Sequence, residues 1–418
     1  MINKITTISF LFFAVFAMAQ KGSLSPYSFY GIGENTFKGT AENRMMGGLS
    51  SYSDSIHLNL QNPAGYASLQ MVNYSIGVNH IDTNLKSSEA NTKNTTAGID
   101  YLAVGIPTKH FNFGFGIIPK SSVGYRLLIE DLTTEPNQST QFEGSGGVNQ
   151  VFFSAGKKVF KDFGVGLTAN YNFGSLNHIS TLVIQDVELA TVLNNESSLS
   201  GFTLTLGLDY HKQLLSKWDI QANYQFSPEG KLNSSNSKSI ITRPRLSNTA
   251  GDELIVDLAA TGLDETTITI PGTHSLGFSF GENKKWSAGA QYTFSTSGGY
   301  ENKLFTMSNV AYKRASQLSV GGFYIPKFNS FTNYFSRIVY RAGVRIEKTG
   351  LHINNQSIDE LGISFGLGLP LNGLSSANIG VEFGKRGTLS EGLVEENFVA
   401  IRIGLSLNDR WFIKRKYN

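Results

Sequence analysis

The sequence predicts an all-β transmembrane barrel of about fourteen antiparallel strands, built for an outer membrane, and three observations lead there. Long segments alternate apolar with small polar residues at period two. The links between them alternate short with long. After residue 19 no segment reaches the roughly 20 consecutive apolar residues that a spanning helix needs. Composition agrees: of 418 residues 44 are Gly and only 10 are Pro, aromatics make up 12%, charged residues 16%, and Cys is absent. An exported chain of this size without cysteine suits a route on which thiols are a liability. The net charge of +3 is small and dispersed, which speaks against nucleic acid as a partner.

Taken in order, the chain opens with Lys4, an apolar stretch from Ile8 to Phe16 and Ala17-Met18-Ala19. This pattern predicts a cleaved signal peptide over 1–19, with Gln20 as the mature start and export to the bacterial outer membrane as the consequence. Residues 20–68 do not alternate cleanly. Fourteen alternating segments follow, at about 69–80, 98–106, 111–128, 147–157, 163–175, 199–212, 217–227, 272–281, 285–295, 315–325, 336–347, 360–369, 376–385 and 395–408. The pattern is plainest in Phe202, Leu204, Leu206, Leu208 and Tyr210, separated by Thr203, Thr205, Gly207 and Asp209. In a soluble sandwich the polar phase meets water and carries Lys and Glu; here it is mostly Gly, Ser, Thr and Asn, as a crowded barrel interior requires. Segments of about 9 to 12 residues also suit a tilted bilayer crossing better than a globular strand of about 5 or 6.

Short links at Pro107 to His110, Lys158 to Asp162, Gln213 to Ser216, Glu282 to Lys284 and Pro370 to Ser375 are assigned to the periplasm. Long polar links around 81–97, 129–146, 176–198, 228–271 and 296–314 then face outward. The stretch 228–271 reads as the largest external loop, with a small independent hairpin domain as the alternative. One link breaks the pattern: Pro326 to Phe335 is longer than the other periplasmic turns.

Charge on the inward phase of the late strands is informative. With Ile338, Tyr340, Ala342, Val344 and Ile346 toward lipid, Arg341, Arg345 and Glu347 face the lumen, and by the same phase so do Glu382 and Arg402. Buried charges must be paired, so these five are expected to bond one another or the N-terminal segment. A structural network is the favoured reading and a polar constriction or head-group site the alternative. The seven His residues, at 57, 80, 110, 178, 211, 274 and 352, lack metal-ligand spacing, and no cofactor is expected. Gly272-Thr273-His274-Ser275-Leu276-Gly277 has the look of a hydrolase nucleophile turn. Such a turn needs a strand-to-helix elbow, whereas Ser275 begins an alternating run, so an acyl hydrolase is a remote reading and the chain is expected not to be an enzyme.

The segment before the first strand contains Arg44-Met45-Met46-Gly47-Gly48-Leu49, then Asp54-Ser55-Ile56, then Asn62-Pro63-Ala64-Gly65-Tyr66-Ala67. In these residues the chain resembles the FadL-type long-chain fatty-acid transporters of the outer membrane, in a divergent branch of the kind found in bacteria with type IX secretion. The resemblance implies a fourteen-strand barrel over 69–418 and a hatch over 20–68 that closes its lumen, with Gly47, Gly48, Asp54, Asn62, Pro63 and Ala64 as the hatch motif. The family's paired acidic element is reduced here to Asp54, and the opening Ser25-Pro26-Tyr27-Ser28-Phe29-Tyr30-Gly31-Ile32-Gly33 departs from its pattern. Pro63 fixes its own φ and biases Asn62 away from the helical region, so a compact turn outside any ladder is expected there.

The resemblance further implies a channel for hydrophobic small molecules. Related barrels in such bacteria include subunits of larger outer-membrane machines, which makes a non-transporting subunit of an assembly or secretion complex the alternative. Expected partners are outer-membrane lipid, a hydrophobic small molecule, and other outer-membrane or periplasmic proteins. Trp411-Phe412 is expected to serve as an interfacial aromatic and assembly signal.

Overall fold

Period-two alternation sends successive side chains to opposite faces of a strand, and in this chain the two faces differ sharply in chemistry. Leu206, Phe278, Ile363, Phe365 and Ile401 lie exposed on one face, while Gln221, Asn223, Ser279, Gln291, Ser364 and Asn378 are buried on the other. An apolar outside around a polar inside is the reverse of a soluble core and requires hydrocarbon as the outer solvent.

The computed structural model describes residues 24–131, 133–215, 217–245, 251–305 and 307–411. The expected signal peptide and Phe412 lie outside these residues. Fourteen strands form the wall: β1 (Val72–Lys86), β2 (Asn91–Ile106), β3 (Asn112–Asp131), β4 (Gln138–Phe160), β5 (Phe163–Ile184), β6 (Leu189–Leu214) and β7 (Trp218–Ser227) make the first half. The second half is β8 (Thr273–Glu282), β9 (Trp286–Ser295), β10 (Ser316–Tyr324), β11 (Val339–Ile353), β12 (Gln356–Pro370), β13 (Ser376–Gly387) and β14 (Glu395–Asp409). Each pairs antiparallel with the next, and β14 pairs back onto β1 from Val72↔Asp409 to Lys86↔Glu395, which closes the sheet.

Two clusters of outward aromatic residues mark the membrane interfaces. Trp218, Phe280 and Trp286 pack together at the short-turn end, with centroids 5.3 to 6.0 Å apart. At the other end Phe226, His274 and Phe294 stack, and Tyr171 meets Phe202 at 4.9 Å. Along β9, Trp286 and Phe294 are separated by roughly 20 Å across the bilayer, allowing for a tilt of about 40°, close to the apolar band of such barrels.

The structure corrects the extent of the long links. The stretches 81–97, 129–146 and 176–198 are mostly strand, with tips at 87–90, 132–137 and 185–188. Within 228–271 lie strands Gly230–Pro244, Glu253–Ile255 and Glu265–Ile270, and the first pairs with the outer half of β6 from Leu189↔Pro244 to Ser200↔Asn233. It therefore prolongs the wall and is neither an open loop nor a separate hairpin domain. Apolar alternation fades in these stretches because, beyond the bilayer, neither face needs a hydrocarbon-compatible surface, and with it goes the sequence signal. Ile338, expected toward lipid, precedes β11 and is only 5% exposed.

One wall seam is incomplete. β2 and β3 pair only from Leu102↔Ile117 to Ile106↔Phe113, although both strands run on outward. A strand has two edges, and the other edge of β3 is taken by β4 as far as Asp131↔Gln138. The edge that β2 leaves is met by a two-residue strand of the N-terminal segment, Glu34↔Ser122 and Asn35↔Ser121.

Candidate functional site: the lumen and the segment inside it

Residues 24–71 run from the outer rim down through the lumen to the start of β1. At the rim Ser25 Oγ donates to Glu396 at 2.5 Å, and Tyr27 OH donates to the Val394 carbonyl. Beside the incomplete seam, the Thr36 N–H donates to the Lys120 carbonyl at 3.0 Å, and the Ser121 hydroxyl donates to the Ile32 carbonyl at 2.7 Å. A short helix, Ala41–Arg44, follows, closed by the Thr40/Asn43 capping box. Next the segment crosses the inner faces of β7, β8 and β9. The Ser50 and Ser53 N–H groups donate to the side-chain oxygens of Gln291 and Gln221 at 2.8 and 2.7 Å, and Asn223 donates to the Ser50 carbonyl at 2.9 Å.

Glycines in the wall let the segment lie against bare backbone. A Cβ added at Gly343 would stand 2.2 Å from the Gly47 nitrogen, one at Gly166 2.2 Å from the Pro63 carbonyl carbon, and one at Gly207 2.2 Å from Asn62 Oδ1. Gly47 itself has φ +71° and donates its N–H to Ser364 Oγ at 3.1 Å, and Gly48 has φ +88°; both are conformations that favour glycine. Asn62 caps the short helix Pro63–Ser68 by accepting from the Ala64 N–H at 3.0 Å, and Ala64 is fully buried. Of the residues singled out in the segment, Gly47 and Gly48 sit against β10 and β11, whereas Asn62, Pro63 and Ala64 sit against β4 to β6.

Asp54 has a local role. Its carboxylate accepts from the Ile56 and His57 N–H groups at 2.9 and 2.8 Å and meets His57 Nδ1 at 2.7 Å. Burial opposes its charge, but the His57 ring and these hydrogen bonds outweigh that and hold the carboxyl below its ordinary value. Burial likewise opposes a proton on His57, and Asp54 outweighs it, so the imidazole is held above its ordinary value.

The inner wall of β11 to β14 carries an ion-pair network. Arg345 bonds Glu347 at 2.5 Å, Glu382 at 3.1 Å and, most closely, Glu360. Arg386 bonds Glu360 at 2.5 Å and Glu396 at 3.4 Å. Arg402 makes two contacts of 2.9 Å to Asp100 and lies 3.8 Å from Glu382. The segment joins this network at three points, Arg44 to Glu382 at 2.6 Å, Glu34 to Arg386 at 2.5 Å and Ser25 to Glu396 at 2.5 Å, and beside it Glu42 bonds Asn378 at 2.7 Å. Burial and the neighbouring Arg345 pull the Arg44 guanidinium down to about 10, against the attraction of Glu382.

The structure thus brings Arg345, Glu347, Glu382 and Arg402 together. Arg341 stands apart, bonded to Asn378 Oδ1 at 2.9 Å and through that amide to Glu42. Sequence reasoning missed Glu360, Arg386 and Glu396, which share the inward phase of their strands and were open to the same rule. It also missed Asp100, which falls at a bulge where β2 shifts register between Gly77 and Val78, and Arg44, Glu34 and Glu42, which lie where nothing alternates.

The better-formed cavities are small. One of about 170 Å³ lies under the outer loop against Phe29 and Tyr30, and another is about 10 Å³, whereas ligand pockets usually span roughly 300–1,000 Å³. Ser275 lies on β8, shares a hydrogen bond of 2.7 Å with Thr293 and accepts from Gln291 at 3.0 Å, while His274 turns to the opposite face and meets Tyr224 OH at 2.7 Å. Among the described residues no group of three His, Cys, Asp or Glu could hold a metal ion.

The family model described as BamG matches residues 1–418. No curated protein matches. Among solved structures, the CymD monoaromatic hydrocarbon channel superposes with a TM-score of 0.55 at 15% identity, over 90% of this chain and 99% of that one. The Ralstonia pickettii toluene transporter TbuX gives 0.54 at 15%, over 90% and 99%, and a Pseudomonas aeruginosa FadL homologue gives 0.56 at 12%, over 90% and 98%. These likenesses show the fold, a closed fourteen-strand antiparallel β-barrel like those of the FadL-type channels.

Proposed function

The chain belongs to the BamG family, and from that footing we propose that it is a closed barrel working as a subunit of a larger outer-membrane protein assembly. The observation that carries this reading is the filled lumen: residues 24–71 lie against wall backbone at glycine after glycine and are held by three polar links, from Ser25, Glu34 and Arg44, to a buried ion-pair network. Breaking such a network leaves buried charge uncompensated, at a cost of about 3–5 kcal/mol per pair, so the segment is hard to dislodge. The wall that rises beyond the outer aromatic cluster also exposes Leu128, Ile129, Leu254 and Ile255, at 59 to 77%, where no lipid covers them. Apolar groups of that kind outside the bilayer suit contact with another protein. Affinity purification from detergent-solubilised outer membrane is expected to return a stoichiometric partner, and the pure barrel to be silent in a planar bilayer. A barrel that purifies alone and takes up a lipophilic probe would sink the proposal.

A second reading, a channel for hydrophobic small molecules, is favoured by the incomplete seam. Residues 28–36 seal it from inside, and Lys120, 3% exposed at the β3 bulge, has no ion-pair partner among the described residues. Movement of that short stretch would join lumen to bilayer. The chain has no native cysteine, so Asn35→Cys with Ser121→Cys, an antiparallel neighbour pair, can be crosslinked cleanly. In the channel reading the crosslink abolishes probe uptake. In the subunit reading it leaves partner capture intact.

A further inference from the structure

We propose that the link between β10 and β11, residues 325–338, is a membrane anchor that binds the phospholipid leaflet facing the periplasm. This is the link whose length broke the short-turn pattern. It is a folded loop: the Ile325 N–H donates to the Lys285 carbonyl at 2.6 Å, the Lys327 N–H to the Ser336 carbonyl at 2.7 Å, and the Asn333 N–H to Ser330 Oγ at 3.2 Å. What it presents is aromatic. Phe331 is 101% exposed and Phe335 71%, with Phe328 at 37% and Tyr334 at 40%. Holding these rings in water on an ordered loop forfeits the gain that burial of each would bring.

Two observations identify lipid as the occupant. The loop is continuous with the lipid-facing surface. Tyr340, on the outward phase of β11, donates its hydroxyl to the Phe335 carbonyl at 3.4 Å, and Tyr334 OH donates to the Pro370 carbonyl at 3.2 Å, beside exposed Leu371 and Leu374. The loop therefore leans on the outer face of the wall, away from the lumen mouth. The second observation is charge. Residues 325–338 contain Lys327 and Arg337 and no Asp or Glu. Lys284 of the adjoining turn lies over the Phe328 ring at 5.2 Å, and Arg337 over the Tyr334 ring at 5.2 Å. Cations stacked on aromatic rings at the end of an apolar band match the phosphate level of a leaflet, where rings enter the acyl boundary and cations meet headgroups. Anionic phospholipid is the ligand class this chemistry selects.

The test places the photoreactive residue benzoylphenylalanine at Phe331 in cells and, separately, an environment-sensitive dye on Phe331→Cys in nanodiscs. Because the side chain is wholly exposed, both variants should keep the heat-dependent gel mobility of a folded barrel. The photoproduct is expected to be a phospholipid adduct. The dye should be quenched several-fold more by shallow spin-labelled phosphatidylglycerol than by spin-labelled phosphatidylcholine, and Lys284→Glu with Lys327→Glu and Arg337→Glu should remove that preference. A photoproduct that is mainly a protein adduct overturns the proposal in favour of a periplasmic partner. A dye quenched by aqueous iodide and by neither lipid overturns it outright.

Discussion

Arg345 is the side chain on which the inner wall turns, since three carboxylates converge on it and one of them, Glu382, also holds Arg44 of the N-terminal segment. Arg345→Met is expected to cost about 3–5 kcal/mol, because Glu360 stays buried without its main counter-charge and Glu382 keeps only Arg44 and, at 3.8 Å, Arg402. The loss should fall first on the segment, whose seat depends on Glu382, and limited proteolysis of the segment in the purified barrel measures it. Protection that equals wild type would show that the network does not hold the segment. The Asp54–His57 pair makes a pH-dependent contribution of definite sign. His57 is raised, so its share is fully present below its ordinary value of 6.5 and is lost as pH rises through the raised value; Asp54 is lowered, so its share is present above 3.8 and is lost as pH falls through the lowered value. Cleavage near residues 54–57 is expected to speed up on the alkaline side, and His57→Ala to flatten that dependence. At this scale the inward phase of a regular strand was legible, which is why Arg345 and Glu382 stand out in the sequence. Asp100 was not, because a single bulge reverses the phase on which the reading depends.

Among elements, the strands divide into a lipid-facing phase and a lumen-facing phase with different tolerances. Leu206 is 48% exposed on the outward phase, whereas Thr205 bonds Ser227 Oγ at 2.9 Å on the inward one. Leu206→Arg is expected to destabilise by about 2–4 kcal/mol in urea unfolding from lipid vesicles, as for a cation near mid-bilayer. Thr205→Arg should cost less, and equal costs would contradict the assignment of faces. Membrane-spanning stretches were readable to within a few residues at most ends because two solvents write the alternation into them. The outer halves of β4, β5 and β6 were not, since their outer face meets water and their inner face buries a mixed set, Val148, Leu176, Val192 and Leu199 beside His178, Asn195 and Ser197, so neither phase reads as continuously apolar.

For the whole molecule, closure of β14 on β1 and the short-turn rule set a topology that intact cells can test. External protease is expected to cut between Pro244 and Glu253, the strands that end and begin there belonging to the outer wall extension, and to spare Pro107 to His110. Cleavage only at the short turns would invert the barrel. The sequence by itself determined the barrel, its strand number and its outward face, because a bilayer imposes period two and a minimum span on every crossing. Only the tertiary structure decided what fills the lumen and where the wall is left open. The segment over 24–71 has no periodicity of its own, and its course is set by distant partners: wall glycines that admit its backbone, carboxylates that receive Arg44, and the edge of β3 that β2 leaves unpaired. Such contacts join residues far apart in the chain, more than 300 positions for Arg44 to Glu382, and no local pattern records them.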